Sequence, residues 1–162
     1  MSRTYLVTMA NATLANQAVT GVFINVGTTT NLEFLRCWAS QSSSNNTAQQ
    51  RIQISTQVSS FPTLTSATPA KAWPLDPASQ IVGGTAGAAG TAGINASAEG
   101  AGAKSIVYPD AFSIVNGWLW TPTPKETHTL NAGATSGYGI HFPVAPSSLG
   151  NWNAGITFQE QA

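Results

Sequence analysis

Two imidazoles, one thiol and six carboxylates are the side chains here best suited to acid–base, nucleophilic or metal chemistry. They are His128, His141, Cys37, Glu33, Asp76, Glu99, Asp110, Glu126 and Glu160. A nucleophilic triad needs a serine or cysteine, a histidine and an orienting acid brought together. His141 falls between Ile140 and Phe142 in an alternating segment, so it follows the face opposite those apolar residues. His128 closes a turn, Lys125-Glu126-Thr127-His128. Neither stands in a recognisable catalytic setting, and no Gly-x-Ser-x-Gly elbow is present. Both are expected to be structural.

A structural zinc site needs four Cys or His ligands, often in close pairs. One cysteine and two separated histidines do not supply that set. Cys37 is expected to be a small core side chain, since free cysteine is among the most buried residue types. Gly83-Gly84-Thr85-Ala86-Gly87 lacks the Gly-Lys-Ser/Thr ending of a phosphate-binding loop. Asp76 and Asp110 each adjoin a proline, which is turn chemistry, although the sequence leaves a glycosidase-type carboxylate pair open. The expectation is no catalytic residue, no metal and no cofactor, hence a protein that is not an enzyme.

Five tryptophans and six phenylalanines make a different offer. Aromatic side chains carry large apolar faces for cores, interfaces or sugar rings. Trp73 lies in a proline-rich stretch, where it serves either as a sugar platform or as an anchor to the core or a neighbouring subunit. The anchor is the reading preferred here.

The elements that must position these residues are strands. Tyr5–Met9, Val22–Val26, Leu32–Trp38, Arg51–Val58, Tyr138–Phe142 and Trp152–Gln159 show period-2 patterning. Ala111–Trp120 reads as a strand interrupted at Asn116-Gly117. In the third segment Leu32, Phe34 and Trp38 take one side and Leu35 and Cys37 the other. Seven or eight strands with Gly, Pro and Asn turns predict an all-β fold. The form expected is an antiparallel, jelly-roll-like β-sandwich in one domain over residues 1–162. Gln41–Thr47 reads as a mobile polar loop tip. Residues 59–104 read as one long inter-strand loop. Its first part holds Pro62, Pro69, Pro74 and Pro77, and its second, Gly83–Ala103, is mostly Gly and Ala. A docking arm that orders against a neighbour accounts for such a segment. The interface residues it suggests are Trp73, Pro74, Ile81, Val82, Gly83 and Gly84.

Charged residues are 7% of the chain, six positive against six negative, while 42% of residues are hydrophobic. A neutral chain exerts no long-range pull on polyanions, so no nucleic-acid partner is expected. Low net charge also favours association. No apolar run reaches the ~18 residues of a membrane span, and the first residues lack a signal-peptide pattern. Synthesis in a cytoplasm is expected, where the Asn-x-Ser/Thr matches at Asn11, Asn45 and Asn95 carry no glycan.

One set of phrases resembles a known family. It comprises Met1-Ser2-Arg3-Thr4-Tyr5, Leu32-Glu33-Phe34-Leu35 before a polar Gln-Ser turn, and Lys71-Ala72-Trp73-Pro74-Leu75-Asp76-Pro77. It continues with Asp110 to Trp118, Thr121-Pro122-Thr123-Pro124, and Ile156-Thr157-Phe158-Gln159-Glu160. In this order they resemble the capsid cement (decoration) proteins of tailed bacteriophages. The resemblance implies a homotrimer on the outer capsid surface at junctions between capsomers, with the major capsid protein as partner. It carries over no catalytic or binding residue. A carbohydrate- or receptor-binding module of a virion is the alternative, and hydrolase activity a third reading.

Overall fold

The computed structural model describes residues 3–42, 47–85, 87–133 and 135–161, and the tip of the Gln41–Thr47 loop lies outside them. The described residues form two packed sheets and contain no helix, so the all-β sandwich holds. In chain order the strands are β1 (Arg3–Ala12), β2 (Val19–Asn25), β3 (Asn31–Gln41), β4 (Gln49–Val58), β5 (Thr63–Ser66), β6 (Ala70–Lys71) and β7 (Val82–Gly83). They continue with β8 (Thr91–Ala98), β9 (Lys104–Ser113), β10 (Trp118–Trp120), β11 (His128–Leu130), β12 (Ser136–Phe142) and β13 (Trp152–Gln161).

The first sheet runs β10-β3-β13-β1-β6, with β11 also paired to β3. The second runs β5-β8-β2-β12-β4-β9, with β7 paired to β8. Every pairing is antiparallel except β7 with β8. The chain alternates between sheets from β1 through β4, so neighbours in sequence face each other across the core. The period-2 pattern on each strand then delivers one apolar face inward.

Tyr5, Val7 and Met9 of β1 and Trp152, Ala154, Ile156 and Phe158 of β13 fill the inner face of the first sheet. Val22, Ile24, Ile52, Ile54, Tyr138, Ile140 and Phe142 fill that of the second. The layers meet through rings. Phe34 stacks on Tyr138 with centroids 3.8 Å apart, and Phe142 meets Trp152 edge-on at 5.0 Å.

The side assignment on β3 needs correction. Phe158 opposes Phe34 while Thr157 opposes Arg36, so Leu35 is left over as a bulge. One extra residue flips every side chain beyond it. Cys37 and Ala39 therefore join Leu32 and Phe34 in the core, and Trp38 turns to the outer side, where its ring crosses Gly155.

Residues 59–104 are also corrected. They are not a strandless arm, because β5 to β8 lie within them. Thr91–Ala98 pairs with β2 on one side and β5 on the other. Its small residues are what close packing demands: a Cβ on Gly93 would stand 2.5 Å from Leu64 Cβ and 2.9 Å from the Gly84 carbonyl oxygen. The same segment roofs the second sheet. Phe61 packs on Phe23, centroids 5.8 Å apart, and the Phe23 ring lies over Gly137 and Gly139. That cover explains why all seven residues of β2 are buried.

Candidate functional site

The six residues expected at an interface do not stay together. Trp73 and Pro74 belong to a turn after β6, and both are exposed, Trp73 at 72%. Leu75, which the sequence did not single out, is 99% exposed beside them. Ile81 is buried in the core and is withdrawn from the interface. Its N–H points at Ser79 Oγ (3.0 Å) and Glu160 Oε1 (3.4 Å). Val82 is half exposed, with its N–H bonded to the Gly90 carbonyl at 3.0 Å. Gly83 and Gly84 are packing glycines: a Cβ on Gly84 would meet Thr91 Cβ at 2.6 Å. Of the expected set, the structure presents Trp73, Pro74 and Val82 to solvent.

The turn that carries Trp73 is built from local chemistry. Proline at position 74 fixes φ near the turn value. The Asp76 N–H donates to the Trp73 carbonyl at 3.1 Å and closes the turn. Ala72 N–H donates to Thr4 O at 3.0 Å, and Tyr5 Oη donates to Pro77 O at 3.1 Å. The apolar tip is therefore held at both ends by β1.

A cleft of about 590 Å³ opens where β9 of the second sheet approaches β10 and β11 of the first. Tyr108, Trp120, Pro122 and His128 wall it, with Glu126 among its lining residues. His128 does not lie in a turn, as the sequence suggested, but on β11, paired with Phe34 of β3. Its ring stacks on Trp120 at 4.7 Å, and its Nδ1 is 2.8 Å from Tyr138 Oη. Burial pushes the His128 imidazole below its usual value and the Tyr138 phenol upward. Exposed apolar side chains continue from this cleft along β9 to Ile106, and Leu119 on β10 and Val115 before it are also exposed.

His141 is buried, and a polar cluster surrounds it. The Glu99 carboxylate pairs with Lys104 Nζ and accepts the Thr20 N–H (2.5 Å) and hydroxyl (2.7 Å). His141 Nδ1 is 3.3 Å from Thr20 Oγ1 and 3.4 Å from Lys104 Nζ. Burial first, then the Lys104 charge, lowers the His141 pKa, while Glu99 and a backbone bond at Val19 oppose the shift. Hydroxyl, imidazole and carboxylate are adjacent here. Thr20 is 2% exposed, so no substrate reaches the hydroxyl. The cluster locks the β8–β9 connection onto β2 and β12.

The buried Glu160 carboxylate does similar work. Glu160 Oε1 accepts the Ser79 hydroxyl at 2.5 Å and the Gln80 N–H at 2.9 Å, fastening the approach to β7 onto β13. Asp110 accepts the Trp118 Nε1–H at 3.0 Å and joins β9 to β10. Cys37 is fully buried and its thiol pKa is driven up, chiefly by desolvation. No group of three or more His, Cys, Asp or Glu placed to hold a metal occurs among the described residues.

The chain matches no protein-family model, no curated protein and no solved structure.

Proposed function

We propose that this chain is a structural virion protein that seats on the outer surface of a phage capsid and stabilises contacts between capsomers. Its partners in this reading are the major capsid protein and further copies of itself, three being the expected number. One observation carries it: large apolar side chains stand in solvent on a β-sandwich whose residues are only 7% charged. Trp73 and Leu75 do so on the turn after β6, Ile106 on β9, and Val115 and Leu119 beside and on β10. Exposed apolar surface of this kind marks sites of protein contact. A shell repeats one docking site many times, so modest contacts per copy sum to firm attachment. The sequence resemblance to cement proteins points the same way.

Co-sedimentation with capsids tests it. Saturable binding at a fixed ratio to the major capsid protein is expected. Protein that stays in the supernatant at every ratio overturns the reading.

Carbohydrate or receptor binding through Trp73 is the second reading, favoured by the exposure of that ring. A ring on a projecting turn has no walls around it to fix a sugar's hydroxyls, which ranks this reading below the first. A glycan array on which Trp73→Ala abolishes a signal would reverse the ranking.

A further inference from the structure

Asn116 is the only asparagine in the chain that precedes a glycine. It lies in the connection from β9 to β10, where its N–H donates to the Ser113 carbonyl at 2.9 Å and closes a turn. Gly117 follows with φ at +70°, a conformation that favours glycine. A Cβ there would also stand 3.3 Å from the Ala39 carbonyl oxygen, so the turn itself calls for glycine after Asn116. Asn116 is exposed. Among the described residues its carboxamide has no hydrogen-bond partner, and neither has the Gly117 N–H.

We propose that the Asn116-Gly117 turn is a self-modifying site, at which Asn116 loses its side-chain amide and becomes aspartate or isoaspartate. The Gly117 nitrogen, once deprotonated, attacks Asn116 Cγ. A new nitrogen–carbon bond forms, the Cγ–Nδ2 bond breaks, and the amide group leaves as ammonia with the proton that the Gly117 nitrogen gave up. The product is a cyclic imide, and water opens it at either carbonyl. Opening at Cγ leaves aspartate. Opening at the main-chain carbonyl routes the backbone through Cγ and leaves isoaspartate, whose main chain is longer by one methylene. The sum is amide plus water going to acid plus ammonia, so no oxidant, reductant or cofactor takes part.

Asparagine is a chemically labile residue, but its surroundings decide where the lability is expressed. Every other asparagine precedes a residue with a side chain, which crowds the attacking nitrogen. Several also have their reacting groups engaged. Asn25, Asn95 and Asn153 donate their side-chain amides to the carbonyls of Gly87, Thr13 and Asn151. The Ala132 N–H, which follows Asn131, donates to Asn31 Oδ1 at 2.7 Å. At Asn116 both reacting groups are free, the next residue is bare, and the turn is open to the water that must finish the reaction. Exposed turns of small and polar residues also have the least resistance to local rearrangement. The product falls in a sensitive place. A carboxylate arises beside exposed Val115 and close in sequence to exposed Leu119, in a chain whose six positive and six negative groups balance. An unpaired charge is costly to bury, so an apolar contact over this turn weakens once the charge has formed. Ammonia is lost to bulk water, so the surface changes in one direction with time.

Peptide mapping by mass spectrometry after incubation of the folded, full-length chain in heavy-oxygen water tests the site. The incubation lasts as long as the urea-unfolded chain needs to convert, at neutral and at mildly alkaline pH. The Asn116 peptide is expected to give way to two isomeric products, each with one heavy oxygen in place of the amide nitrogen. Conversion is expected to be faster at the higher pH, where more of the Gly117 nitrogen is deprotonated. Isoelectric focusing is expected to show a new band displaced by one negative charge. Peptides holding Asn131 and Asn153, each followed by alanine, are expected to persist, and Asn116→Gln is expected to keep the original band. An Asn116 peptide that outlasts the incubation unchanged overturns the proposal. So does conversion to aspartate alone, which would mean direct hydrolysis without the imide, and so does equal conversion at Asn131 and Asn153. None of these outcomes depends on whether the protein binds capsids.

Discussion

Tyr108 on β9 and Trp120 on β10 belong to different sheets, yet their rings lie 6.2 Å apart at 51°. They draw the two edges together at one side of the sandwich and leave an aromatic recess between them. At the far edge of the first sheet, the turn after β6 carries Trp73 and Leu75 outward. Exposed apolar side chains thus stand at both edges of the first sheet.

Gly93 is under contact from both Leu64 and the Gly84 carbonyl. Gly93→Ala is expected to cost about 1–3 kcal/mol through overpacking, seen as a melting temperature several degrees lower. A loose Gly/Ala arm would tolerate the methyl group without change.

Glu99 holds Lys104, the Thr20 N–H and the Thr20 hydroxyl. Glu99→Ala leaves these partly buried groups without their acceptor and is expected to destabilise by about 2 kcal/mol, read from urea unfolding. Replacing Glu126, whose carboxylate accepts an exposed bond from Thr123, is expected to change stability by less than about 0.5 kcal/mol.

Both histidines have folded-state pKa values below their ordinary 6.5, His128 through burial and His141 through burial and Lys104. As pH falls through 6.5 the unfolded chain takes up these protons before the folded one does. The stability they contribute is therefore complete above that value and is lost as pH falls toward the lowered folded values. Urea midpoints measured at neutral pH and at about pH 5.5 are expected to drop on acidification, with a smaller drop in the double variant His128→Gln/His141→Gln. An equal drop would exclude the histidines as the cause.

Cys37 is fully buried, and its thiol is held protonated by desolvation. A thiol reagent is expected to leave the native protein unmodified and to react at the rate of unfolding, as followed by mass spectrometry. Rapid modification under native conditions would place Cys37 outside the core.

The strands with a clean apolar alternation were legible in the sequence. β1, β2, β4, β12 and β13 follow their period-2 patterns because each buries one inward row between the sheets. β8 was not legible. Its partner surfaces approach so closely that Gly93 and Ala92 replace the branched residues that announce a strand. β9 was read only from Ala111 onward, since an edge strand with residues 105–111 exposed shows no buried row. The Leu35 bulge was hidden because the inserted residue is itself apolar and mimics a two-sided strand. Of the candidate surface, Trp73 and Pro74 were legible from the proline-rich turn. Ile81 was misplaced because its burial depends on Glu160, 79 residues away, fixing its backbone. The Tyr108–Trp120–His128 cleft joins three consecutive strands, but β9 lies in one sheet and β10 and β11 in the other, and no local spacing signals that switch.

The central claim is attachment to a capsid shell, and electron cryo-microscopy of capsids incubated with the purified protein tests it most directly. The account requires added density of this β-sandwich at regular positions on the outer surface, at junctions between capsomers. Particles whose outer surface is identical with and without the protein would contradict it.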